Sequence, residues 1–182
     1  MFAYYKKYAP YLFLLPATIV LILFFFIPFF QTIGLSFFGY DNSLYNPDFV
    51  GFENYKKLIT SPIFYKVMAN TFIYLIVAVP FLTIFPLFLA ILINQKIRGV
   101  TLYKILIYLP VIVSIVVAAI AFKWLYAQTG ILNYCVEQLG YNPIGWLTDP
   151  KYSLYSVAIV TIWKGVGYYM MIYLASLMSV PQ

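Results

Sequence analysis

The sequence predicts an all-α integral membrane chain with four transmembrane helices, and three observations carry that reading. Of its 182 residues, 64% are hydrophobic and only 9% are charged, against about 45–50% apolar and about 25% charged in a soluble domain. The few charges bound uncharged runs long enough to cross a hydrocarbon layer, which takes about 20 residues. Aromatic residues make up 21% of the chain, and Tyr and Trp gather at the ends of these runs, where an apolar ring with a polar tip suits the membrane surface. The mean hydropathy of +0.91 agrees.

The first uncharged run lies between Lys7 and Asp41, with Tyr11–Phe38 as its span. A secretory signal is the competing reading, since Lys6 and Lys7 precede the apolar stretch. A signal core of about 7–15 residues followed by small residues at a cleavage site would be expected. This run is longer, holds Pro16 and Pro28 and ends without such a site, so it is read as a retained span. The second run is Val67–Gln95, the third lies between Lys104 and Lys123, and the fourth is Tyr152–Val180, interrupted only by Lys164. Tyr8, Tyr11, Tyr103, Trp124, Tyr126, Tyr152 and Tyr155 mark span ends.

Direction follows from the loops. Lys6 and Lys7 in the N-terminal tail, and Lys96, Arg98 and Lys104 between spans two and three, have no acid beside them. Asp41, Asp48, Glu53, Glu137 and Asp149 all fall on the opposite side, together with Lys56, Lys57, Lys66 and Lys151. Short loops rich in Lys and Arg stay inside, so the expectation is a multi-pass protein of the cell membrane with a cytoplasmic N-terminus. Residues 1–66 are read as tail, first span and outer loop, and 67–182 as a core of three further spans. Within the outer loop, turn signals at Asp41-Asn42, Asn46-Pro47 and Ser61-Pro62 flank FVGFENYKKLI, which is expected to form a short helix lying at the surface.

Several function classes are excluded. The net charge of +6 forms no stripe on a docking element, so nucleic acid is not an expected partner. Histidine is absent and Cys135 is the single cysteine, which removes a Cys/His zinc site, an intrachain disulfide and a histidine-based triad. No acid lies within a span, and Gly34–Gly39 lacks the Lys and Ser/Thr that a phosphate loop needs next. No catalytic residue, metal or cofactor is expected. Pro16, Pro28, Pro80, Pro86 and Pro110 remove backbone donors inside spans; moving helices and ordinary membrane-helix usage are equally good readings. Ser114, Ala118 and Ala119 suit close helix packing.

Lys164 stands apart, because a charge at mid-membrane costs about 2.5–3.5 kcal/mol on insertion scales. Thr161, Gly165 and Tyr168 share its helical face. A hydroxyl, an ammonium, bare backbone and a phenol together read as one wall of a wet, substrate-facing cavity. The other reading is an ammonium paired with a partner's carboxylate or snorkelling along the helix. On the cavity reading, removing the charge should ease insertion.

An ordered series of motifs then runs along the chain: FVGFENYKKLI (Phe49–Ile59), NTFIYL (Asn70–Leu75), LAILIN (Leu89–Asn94), the proline of YLPVIVS (Tyr108–Ser114), Trp124 through GILN (Gly130–Asn133), WLTDP (Trp146–Pro150) and WKGVGYYMMIYLASLMSVP (Trp163–Pro181). This series resembles the permease subunits of binding-protein-dependent ABC importers, in the carbohydrate branch that includes maltose, lactose and glycerol-3-phosphate systems. The resemblance implies the first part of a six-helix type I ABC importer permease, with 67–182 an incomplete core that stops at Gln182 before the cytoplasmic EAA loop. It implies a second permease subunit, ATP-binding cassette ATPase subunits, an extracytoplasmic sugar-binding protein and the lipid bilayer as partners, with ATP hydrolysis in a separate subunit. It also places sugar contacts at Thr161, Lys164, Gly165 and Tyr168, although the maltose permease carries an apolar residue in place of Lys164. The alternatives are an importer for glycerol phosphate or another small polar solute, and a non-transporting scaffold or truncated fragment.

Overall fold

The computed structural model describes residues 2–39, 48–95 and 98–179, with side chains from Tyr8 onward. Asp41, the turn signals at Asp41-Asn42 and Asn46-Pro47, Lys96 and the terminal Val180–Gln182 lie outside the described residues. The chain divides into two units, Met1–Lys66 and Val67–Gln182.

The first unit begins with one long helical run: α1 (Phe2–Leu21), a π-turn (Ile22–Phe26) and α2 (Ile27–Leu35). Pro28 sits in the first turn of α2, where its missing N–H and its ring would strain a regular α ladder; a widened turn just before it is the usual accommodation. The apolar stretch Tyr8–Leu35 is 28 residues long, ample for a crossing. Beyond it, β1 (Phe38–Gly39) pairs antiparallel with β2 (Asp48–Phe49), and α3 (Glu53–Thr60) follows. Asn54 fixes the start of α3: its Nδ2 donates to the carbonyls of Ser36 and Phe38, each at 2.9 Å. The Ser36 and Tyr55 hydroxyls share a hydrogen bond of 2.6 Å, and Phe37 stacks edge-on to Phe52. The FENY segment thus ties the expected short helix to the end of the first span.

α4 (Pro62–Asn94), most of it in the second unit, is a single helix of 33 residues, and α8 (Ser153–Ser179) in that unit is one of 27. Both are long and apolar enough to cross a membrane. The third expected span departs from its reading. It is a bent pair, α5 (Val100–Ile112) and α6 (Ile115–Leu125), turned by 95°. Val113 and Ser114 take extended backbone angles, ψ 130° and 140°, which an α-helix does not accommodate. A charge-free run reports apolar length only and cannot reveal a turn inside it.

Helix order follows from the contacts. Tyr74 meets Thr161, Leu82 meets Gly165, and Ala90 and Ile93 pack with Met170 and Leu174; the pairs advance together, so α4 and α8 run in the same direction. Against α5 the order reverses, with Ile107 at Gly167 and Val113 at Lys164, so α5 and α8 are antiparallel. The approach at Gly167 is close enough that a Cβ there would collide with the Ile107 carbonyl, the role small residues play where membrane helices touch. Ala118 is likewise buried, whereas Ala119 is exposed.

The segment between α6 and α8 is ordered around one amide. Asn133, in the short helix α7 (Ile131–Gln138), is fully buried. Its Nδ2 donates to the carbonyls of Ala127 and Ile144, both at 3.1 Å. Its Oδ1 accepts from the Ile144 N–H at 2.9 Å and the Trp146 Nε1–H at 3.0 Å. All four hydrogen-bonding positions of the side chain are therefore used, and the loop closes on itself. Tyr126 anchors it to α8 by donating to the Ser156 carbonyl at 3.0 Å.

Candidate translocation face

The residues singled out in the fourth span lie on α8, and the structure sends them in different directions. Thr161 faces α4: its Oγ1 accepts from the Tyr74 hydroxyl at 2.8 Å and donates to the Val157 carbonyl at 3.2 Å. Gly165 also faces α4, where a Cβ would lie 2.6 Å from Leu82 Cδ2. Leu82 lies against it, and the glycine itself is half-buried. Tyr168 is 52% exposed and meets Tyr169 edge-on at 5.4 Å.

Lys164 turns toward the α5–α6 break. Its Nζ donates to the carbonyls of Val113 at 2.6 Å and of Pro110 and Val111, each at 3.3 Å. The last four carbonyls of any helix lack intrahelical partners, and in hydrocarbon each unpaired group costs several kcal/mol. An ammonium has three N–H donors and no acceptor, and here it has three acceptors. The negative end of the α5 dipole adds favourable charge, worth about 0.3–1 kcal/mol. Two liabilities, a charge at mid-membrane and an open helix end, thus offset each other. No buried side-chain nitrogen or oxygen among the described residues lacks a hydrogen-bond partner.

Two open grooves flank α8. One of about 680 Å³ lies between α4, α5 and α8, walled by Phe81, Phe85, Ile107, Pro110 and Trp163, and is almost wholly apolar. The other, about 420 Å³, lies between α6 and α8 and is walled by Phe122, Lys123, Tyr126, Val157 and Thr161. Thr161 and Lys123 bring a hydroxyl and an ammonium to the lining of this second groove. Sequence reasoning passed over Tyr74, Lys123 and Asn133. Tyr74 and Asn133 sit in motifs already singled out, NTFIYL and GILN, but neither motif says which groups they bond.

No family model matches the chain. It is 37% identical over 173 residues to a probable ABC transporter permease protein of Pyrococcus horikoshii, covering 93% of this chain and 59% of that protein. It is 32% identical over 174 residues to the lactose transport system permease protein LacF of Rhizobium radiobacter, covering 94% and 58%. Among solved structures, it superposes with a TM-score of 0.75 and 27% identity on a chain of the bacterial alginate ABC transporter in complex with alginate pentasaccharide-bound periplasmic protein, covering 100% of this chain and 61% of that one. The chain spans about three-fifths of the length of the curated relatives it matches. By sequence and by fold, it belongs to the permease subunits of ABC importers, in the branch that includes carbohydrate systems.

Proposed function

We propose that this chain builds part of the translocation pathway of an ATP-driven sugar importer in the cell membrane, with its N-terminus in the cytoplasm. The observation that carries the reading is the match, over nearly the whole chain, to permeases of carbohydrate systems. A second permease subunit completes the pathway, ATP-binding cassette subunits hydrolyse ATP, and an extracytoplasmic sugar-binding protein delivers the solute at the outer loops. The pathway face is the α8 surface marked by Thr161, Lys164, Gly165 and Tyr168. Thr161 and Tyr168 meet the solute by hydroxyl and ring, while Gly165 and Lys164 act through α4 and the α5–α6 break.

The complete importer in proteoliposomes tests this. Radiolabelled disaccharides and oligosaccharides should enter only with ATP and the binding protein present. Uptake of glycerol phosphate without any sugar would move the substrate class, and uptake of nothing tested would leave the scaffold reading. Orientation has its own test in a Cys135→Ser background. A cysteine at Asn142 should react with an impermeant thiol reagent from outside, and one at Gly99 should not; labelling at Gly99 from outside reverses the topology.

A further inference from the structure

The α5–α6 bend and α8 are joined by one side chain. Lys164 lies near the middle of α8, and its donors go to three carbonyls at or just before the bend. Around the bend, Ser114 opens α6 with no side-chain cap. α8 touches α5 at Gly167, one turn further on. No other side-chain donor among the hydrogen bonds described reaches the Pro110, Val111 or Val113 carbonyl.

We propose that Lys164 is a positioning residue: its ammonium closes the α5–α6 break against α8, so that the bend and the face α8 presents move as one body. Helix ends at membrane depth persist only where protein or water takes the freed carbonyls. With Lys164 in place that role falls to the protein, and the break stays dry. Without it, water must enter, and the bend gains freedom relative to α8. The effect on transport rests on the function proposed above; the effect on hydration of the break does not.

The experiment uses the complete importer with Cys135 replaced by serine and one cysteine at Val113. Lys164→Met should raise the labelling rate at Val113 by a small water-soluble thiol reagent about tenfold, the change that follows from losing one net hydrogen bond of closure. Lys164→Arg, which still donates to carbonyls, should restore slow labelling. Lys164→Gln, with a neutral amide, should fall between. The maximal uptake rate should follow the same order, while the sugar concentration for half-maximal uptake stays fixed. If the Met variant does not accumulate, the Gln and Arg variants still decide. Labelling that is the same in all variants overturns the proposal. So does unchanged labelling with a shifted half-maximal concentration, which would make Lys164 a direct solute contact. Absence of sugar uptake in the unsubstituted importer would defeat the function proposed above and leave the labelling result standing.

Discussion

Helix α4 and the α5–α6 pair are both apolar runs that contain proline, and they behave in opposite ways. α4 carries Pro80 and Pro86 and continues through 33 residues without a break. The α5–α6 pair carries Pro110 alone and turns by 95° just after Ile112, at Val113–Ser114. Proline number therefore does not decide where a membrane helix ends. A missing N–H frees one carbonyl, which a helix tolerates; a full break frees several, which only a partner can absorb. α5 has that partner in Lys164, while among the described side-chain hydrogen bonds the carbonyls of α4 receive only local threonine contacts such as Thr83 to Val79 at 2.9 Å.

The largest test of this contrast is Lys164→Leu. Three carbonyls deprived of the ammonium at about 1–3 kcal/mol each, less the 2.5–3.5 kcal/mol or so no longer spent on a charge, leave a net loss between about 0 and 6 kcal/mol, with its middle at about 3 kcal/mol. Sequence reasoning expects the opposite sign, easier insertion. Reversible unfolding in mixed micelles measures it, and unchanged or increased stability would break the contrast. Gly167→Ala comes next, because α8 meets α5 there at a backbone carbonyl that cannot rotate away; overpacking should cost about 2 kcal/mol. Gly165→Ala faces the flexible end of Leu82 on α4, and the same assay should show a loss below about 1 kcal/mol. Equal losses at the two glycines would mean that α4 and α5 hold α8 equally rigidly.

The crossings were legible in the sequence because hydrocarbon thickness imposes a minimum apolar length and charges mark its limits. The short helix at Glu53–Thr60 was legible because turn signals flank the segment that forms it. The bend was not. Pro110 looks the same in sequence as Pro80 and Pro86, and what separates them is an ammonium 51 residues from Val113. The importance of Lys164 could be read from its cost, but its partners could not, since a carbonyl oxygen carries no residue identity. The common face of Thr161, Lys164, Gly165 and Tyr168 is correct as helical geometry. It does not reveal that two of these positions touch α4, at Tyr74 and Leu82, while the break engages a third.

The buried amide of Asn133 has a mechanical consequence. Because one side chain spans Ala127, Ile144 and Trp146, the strip between α6 and α8 cannot yield at one point without losing its hold at the others. Tyr126 fastens the same strip to Ser156 near the head of α8. A load applied to α7 therefore reaches the first turn of α8 through stiff linkages, with little of the displacement absorbed on the way.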